Sequence, residues 1–268
     1  MTSAHDAARS VLYVVPTLGQ RPEYLERTID SLVAQDGPRV GAVLVAPESA
    51  THLIPLAAEK GVVLLHQTGT GMGNAINEAW RAYGAGYDYW GWLGDDDELA
   101  PSSAAVAVDY LERHPASVMV YGRCAYVDAD GRLLFEARPS ALAARLLRWG
   151  PDLVPQPGSV ARAGAVRAVG YLDESLSYAM DLDLFLRLAD QGRIGYTPRV
   201  LARFRWHDAS TTVGSPDESN AEARQVRART WVGPRRVGFV AERPAMLAGR
   251  VLHRAQQGLR RPQPSSRR

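Results

Sequence analysis

The run Gly94-Asp95-Asp96-Asp97-Glu98 directly follows an apolar segment, Tyr87 to Leu93, that reads as a buried strand. At about 5 Å and an effective dielectric of about 20, each adjacent pair of such charges repels by roughly 3 kcal/mol, so the cluster needs compensation. A divalent cation, a helix N-terminus or plain exposure to water would each provide it. Mg²⁺ and Mn²⁺ prefer oxygen ligands, and Mg²⁺ is commonly held by one or two carboxylates together with substrate phosphates. Three consecutive acids in a turn can point in different directions, so one can meet a metal, one a ribose hydroxyl and one the scaffold. The competing reading is a solvated acidic turn that caps the helix starting near Pro101. A further acid, Asp181, opens the helical pattern Met180 to Gln191, whose apolar stripe is Leu182, Phe185, Leu186 and Ala189. Taken locally it reads as an N-cap. Asp183, two positions on, faces another direction and reads as structural.

The elements that must position these acids alternate between two periodicities. Strand patterns cover Val11 to Pro16, Ala42 to Ala46, Val62 to His66 and Tyr87 to Leu93, and helical patterns lie between them at Pro22 to Gln35, Thr51 to Lys60 and Asn74 to Tyr83. Pro22 suits a first helical turn, with Leu25, Ile29, Leu32 and Val33 on one face. Strands separated by helices of this length predict a parallel sheet with right-handed crossovers. Ligands bind such sheets beyond the C-terminal strand ends, where the aspartate run sits. Beyond the helix Pro101 to Arg113 the pattern changes. It predicts a strand over Ser117 to Tyr121, a hairpin about Asp130-Gly131, a short helix near Ala141 to Trp149 and strands near Ile194 and over Leu201 to Trp206. The loop Gly150 to Ser159, stiffened by three prolines around Gln156, either shapes a pocket or serves as a rigid connector.

The 268 residues, 46% hydrophobic and 22% charged, suit one large α/β domain with an extension. The formal charge of +2 is too small to point to a nucleic-acid partner. Cys124 is the only cysteine, which excludes an internal disulfide and fits a reducing cytoplasm. No window approaches the roughly 18 apolar residues of a membrane-spanning helix. The expected division is a disordered 1–10, a domain over 11–214 with halves 11–100 and 101–214, a basic helical extension over 215–261 and a disordered 262–268. Within the extension, residues 242–261 place Met246, Leu247, Val251 and Leu252 on one face with arginines beside them. That helix could rest on anionic lipid at the inner face of the plasma membrane, pack on its own domain or meet a second subunit.

Four segments, in order, resemble the inverting glycosyltransferases of family 2. These are VVPTLGQRPEYLERTIDSLVAQ (14–35), GTGMGNAINEAWRAY (69–83), WLGDDDELAP (92–101) and VGYLDESLSYAMDLDLFLRLADQG (169–192). The resemblance implies the GT-A fold, a mostly parallel sheet flanked by helices. It also implies a nucleotide-diphosphate sugar donor, a divalent cation (Mg²⁺ or Mn²⁺) and transfer to an acceptor hydroxyl on a glycan, a lipid carrier or a small molecule. Carried over by position, Asp96 is the main metal ligand, Asp95 lies toward ribose and metal, and Asp97 supports them or adds a contact. Pro16, Thr17, Gly71 and Asn77 fall in the nucleotide-binding segments. Asp181 falls where the family places the general base, and His207 where a late histidine approaches metal or diphosphate; Arg205 is a further candidate to neutralise diphosphate. The sequence departs from the family pattern at Gly94 and Met180, where acids are customary, and at Ile76, where arginine is common. In VLVAPES (43–49) Ala46 and Pro47 replace the base-contacting acid, leaving Glu48 as its substitute. Two other readings compete: a nucleotidyltransferase of similar fold, for which TLGQRPEYL is a poor phosphate loop, and a nucleotide-sugar-binding module with a degenerate site.

Overall fold

A computed structural model describes residues 9–206 and 216–230. The chain begins as alternating strands and helices: β1 (Ser10–Pro16), α1 (Pro22–Val33), β2 (Arg39–Ala46), α2 (Leu53–Lys60), β3 (Val63–His66), α3 (Met72–Tyr83) and β4 (Tyr89–Trp92). These four strands pair in parallel in the order β3-β2-β1-β4. Every residue of β1 is buried, because the strand lies inside the sheet with helices on both faces. Its period of two divides the core. Leu12 and Val14 pack in one apolar cluster with Trp80, Trp90 and Trp92, while Val11, Tyr13 and Val15 pack in the other with Leu25, Ile29 and Leu32. Val33, expected on the buried face of α1, is 58% exposed, and Thr28 takes its place on that face.

The second half is mixed. It comprises β5 (Glu98–Leu99), α4 (Ser103–Arg113), β6 (Ser117–Val127), β7 (Leu133–Ala137), α5 (Ala143–Leu146), β8 (Val160–Arg162), α6 (Ala163–Ala168), α7 (Met180–Gln191) and β9 (Arg193–Arg205). The sheet continues β4-β8-β6-β9-β5, with β7 hairpinned on β6. Three-residue β8 inserts antiparallel between β4 and β6, and two-residue β5 pairs antiparallel with β9. Neither is long enough to show a period in the sequence. The strands expected near Ile194 and Leu201 are one continuous β9, which pairs in parallel with β6 through several register shifts.

The helix α8 (Pro216–Thr230) is the described part of the expected basic extension. It packs on the domain: Arg227 is buried and donates through Nε to the Leu147 carbonyl at 2.9 Å, and Arg229 pairs with Asp173 at 2.7 Å. His207 and the amphipathic segment 242–261 lie outside the described residues. No helix among the described residues is long and apolar enough to cross a membrane.

Candidate active site

The aspartate run forms a tight turn between β4 and β5, at the C-terminal end of the parallel strands. A Cβ at Gly94 would stand 2.9 Å from Asp96 Oδ1 and 3.0 Å from Asp97 Oδ2, so these carboxylates lie close over the glycine.

The three carboxylates do different jobs. Asp95 Oδ2 accepts a hydrogen bond from the Thr17 hydroxyl at 2.6 Å, and its Oδ1 accepts one from Arg21 Nη2 at 2.8 Å. The other arm of the same guanidinium, Nη1, reaches Asp96 Oδ2 at 2.7 Å. Arg21 therefore holds two carboxylates side by side, and the charge compensation required by the sequence is supplied at least in part by a side chain. Burial pushes the Asp95 carboxyl up, while Thr17 and Arg21 oppose the rise. Asp97 is only 3% exposed and accepts the Arg205 backbone N–H at 3.0 Å through Oδ1. Burial, with the charge of Asp96 beside it, raises its carboxyl well above the ordinary range. Asp97 braces the turn against β9. Arg205 braces it too. Its buried guanidinium donates to the Asp96 carbonyl at 3.1 Å and to Glu98 Oε1 at 2.6 Å, locking the turn from behind.

Pro16, Arg21, Met72, Asp95, Asp96 and Asp97 line an open cleft. Thr17 is buried beneath it and positions Asp95. Gly71 precedes α3 with a φ of 85°, a backbone shape that suits glycine, and its carbonyl accepts from Gln67 at 2.9 Å. Glu48 is exposed on the loop after β2 and is not among the cleft-lining residues. Asn77 has a structural place. Its side chain is fully buried, with Nδ2 donating to the Leu172 carbonyl at 3.0 Å and to Glu174 at 2.9 Å, and Oδ1 accepting the Leu172 N–H at 3.1 Å. The residue clamps α3 to the segment before α7.

That clamped segment delivers Asp181. The residue lies in the first turn of α7, whose N-cap is Ala179, and its Oδ1 accepts the Leu182 N–H at 2.7 Å. Asp181 lines the aspartate cleft and also a second cleft beside it; Gln156, Tyr178 and Phe204 are the other residues common to both. Gln156 donates to the Trp92 carbonyl at 2.9 Å, tying the proline-rich loop to the end of β4. Asp183, by contrast, is buried and paired with Arg187.

Three contributors to this region were not singled out in the sequence: Arg21, Asp152 and Glu222. Asp152 lines the second cleft with Asp181 and accepts the Val154 N–H at 3.0 Å. The residue is solvent-accessible, and desolvation by the surrounding protein, followed by the charge of Asp181, pushes its carboxyl up to about 7. Glu222 of α8 accepts the backbone N–H groups of Ser177, Tyr178 and Ala179 at 2.9, 2.5 and 2.6 Å. It binds the turn ahead of α7 and adds negative charge near Asp181, whose carboxyl is raised chiefly by burial and further by Glu222. Among the described residues no group of three or more His, Cys, Asp or Glu converges as a ready-made cation site.

Residues 13–154 match the family described as Glycosyl transferase family 2. The chain belongs to that family. An uncharacterized glycosyltransferase of Rickettsia typhi is 24% identical over 199 residues, covering 70% of this chain and 62% of that protein. One of Rickettsia bellii is 24% identical over 195 residues, covering 69% of this chain and 28% of its own length. The chain thus spans less than two thirds of either relative. Among solved structures, S. aureus TarS 1–349 in complex with UDP-GlcNAc superposes with a TM-score of 0.62 at 14% identity, over 84% of this chain and 67% of that one. The complex of the same protein with UDP gives 0.60 at 16% identity, over 82% and 64%. At this identity the likeness establishes the fold: the family 2 chain has the GT-A architecture, with a mixed sheet flanked by helices.

Proposed function

We propose that the protein is an inverting glycosyltransferase that moves a sugar from a nucleotide-diphosphate donor in the aspartate cleft to a hydroxyl in the second cleft. The observation that carries this reading is the place of Asp181 on the wall common to both. In the reaction, the acceptor oxygen bonds to the anomeric carbon as the bond from that carbon to the diphosphate breaks. The leaving oxygen keeps the electron pair, and the hydroxyl proton passes to Asp181. A base whose carboxyl is raised by burial holds that proton better than a solvated aspartate would.

The donor's nucleotide would lie over Pro16, Thr17 and Asp95 at the β1 and β4 ends, the crevice in which open α/β sheets take ligands. TarS, the structural neighbour, is described in complexes with UDP and UDP-GlcNAc, which makes a uridine donor the first to try. A divalent cation fits at Asp96 with Asp95, since Mg²⁺ asks for one or two carboxylates and shares the rest of its shell with phosphate. Asp96 is the principal ligand in this reading because of its position in the family motif and its place on the cleft wall. When bound, the cation supplies positive charge to the departing diphosphate. Arg21 carries charge of the same sign at the same edge of the cleft.

A thermal-shift screen with uridine, deoxythymidine and guanosine diphosphates, with and without Mn²⁺, tests the donor site. A ligand at a hundredfold excess over its dissociation constant adds about 2.7 kcal/mol of stability. The expected result is a metal-dependent rise with at least one nucleotide, followed by release of nucleoside diphosphate from the matching sugar donor. Release of pyrophosphate from a nucleoside triphosphate would instead make the protein a nucleotidyltransferase. Binding with no turnover of any donor would make it a binding module.

A further inference from the structure

The second cleft has a chemical character that the family match does not assign. Its walls include Tyr126, Tyr178, Phe204 and Trp206 together with two carboxylates, Asp152 and Asp181. The aromatic part is continuous: Tyr126 lies 5.1 Å from Phe204 and 5.8 Å from Trp206 between ring centroids, and it is backed by Phe135 at 4.4 Å. Trp206 is 39% exposed; its backbone N–H donates to the Val127 carbonyl at 2.8 Å, and its ring also meets Phe135 edge-on at 6.4 Å.

Among the described residues that line this cleft, the charged ones are Asp152 and Asp181. No arginine, lysine or histidine is among the described residues that line it. On α8, Glu222 stands near Asp181, Glu218 accepts the Tyr178 hydroxyl at 2.7 Å, and Arg227 is the cation facing Asp152. An anionic acceptor would bring its charge towards two carboxylates, an arrangement that selects against it. A hydroxyl-rich neutral ring suits the site. Its C–H face can lie on an aromatic surface, and its hydroxyls can donate to carboxylate oxygens.

Resting on the glycosyltransferase reading above, we propose that this cleft is the acceptor subsite and that it takes an uncharged sugar ring at the end of a glycan, not the phosphate of a lipid carrier. The ring stacks on the Tyr126–Trp206 wall. One of its hydroxyls is held by Asp152, and a neighbouring one is presented to Asp181, which receives the proton when that oxygen bonds to the anomeric carbon and the diphosphate departs.

Ligand-observed NMR on the full chain tests this without depending on turnover. The probes are methyl glycosides of glucose, galactose, mannose and N-acetylglucosamine, short neutral oligosaccharides, and farnesyl phosphate, each with and without uridine diphosphate and Mn²⁺. At least one neutral glycan should bind, and Trp206→Ala and Asp152→Asn should each weaken it by about tenfold. A melting temperature close to wild type shows that these variants are folded. Binding of farnesyl phosphate in preference to every glycan overturns the proposal, as does glycan binding indifferent to both substitutions or no glycan binding at all. Failure of the donor site is separately visible, because it removes the nucleotide-induced thermal shift while leaving glycan binding measurable.

Discussion

Arg21 Nη2 stands 2.8 Å from Asp95 Oδ1, joining residues 74 positions apart in the chain. The same side chain holds Asp96, so two of the acids that line the donor cleft are already bridged by a cation. Replacing Arg21 by alanine should leave both carboxylates repelling one another at 11 and 13% side-chain exposure. Because Arg21 itself is partly solvated, the expected loss is modest, about 1–2 kcal/mol in denaturant unfolding. Mn²⁺ should restore more stability to Arg21→Ala than to wild type, as the ion takes over the compensating role. Equal shifts in the two proteins would show that the guanidinium and the ion do not act on the same charges.

Asn77→Ala should separate clamp from ligand. Removing a fully buried amide that makes three hydrogen bonds leaves the Leu172 N–H and carbonyl without those partners, at a cost of about 2–3 kcal/mol. Nucleotide affinity, measured below the melting range of the variant, should stay within about twofold of wild type, a difference of about 0.4 kcal/mol. A large loss of affinity with little loss of stability would return Asn77 to the nucleotide site.

The pH dependence follows from the Asp152–Asp181 pair. Both carboxyls are raised, Asp152 to about 7, so the folded state binds protons more tightly than the unfolded state does. The slope of unfolding free energy with pH is set by protons bound in the unfolded state minus those in the native state, which here is negative. The stabilising contribution of these groups is therefore fully present below the ordinary aspartate range and is lost as pH rises towards 7. Activity should run the other way, because the base must be deprotonated, with an acid limb above the usual carboxylate range. Asp152→Asn removes a neighbouring negative charge and should move that limb to lower pH. The limb belongs to the pair, so an unmoved profile in Asp152→Asn would mean the two groups do not titrate together.

The first half of the fold was legible because each element is long enough to display a period, and β1 to β4 lie close to where apolar runs placed them. Family motifs also pointed to Asp95, Asp96 and Asp181, which line one cleft. What escaped depends on neighbours distant in sequence. Two-residue β5 and three-residue β8 exist because a partner strand is present, and no local pattern announces them. Arg21 lies in a stretch assessed only as a weak phosphate loop, and its meaning depends on the β1–β4 pairing that brings it to the acids. The hydrogen bonds of Asp97 and Asn77 were not legible for one reason: motif position gives residue type, but the direction of a side chain is set by packing. Asp152 sat unremarked in a loop noted for its prolines, since no spacing rule links it to Asp181.

The most direct measurement is sugar transfer by Asp181→Asn, followed alongside nucleotide-donor binding to the same protein. The account predicts donor affinity close to wild type and transfer reduced by about 10²–10⁴, the range expected when a general base is lost. Transfer near the wild-type rate would contradict the claim that Asp181 receives the acceptor's proton.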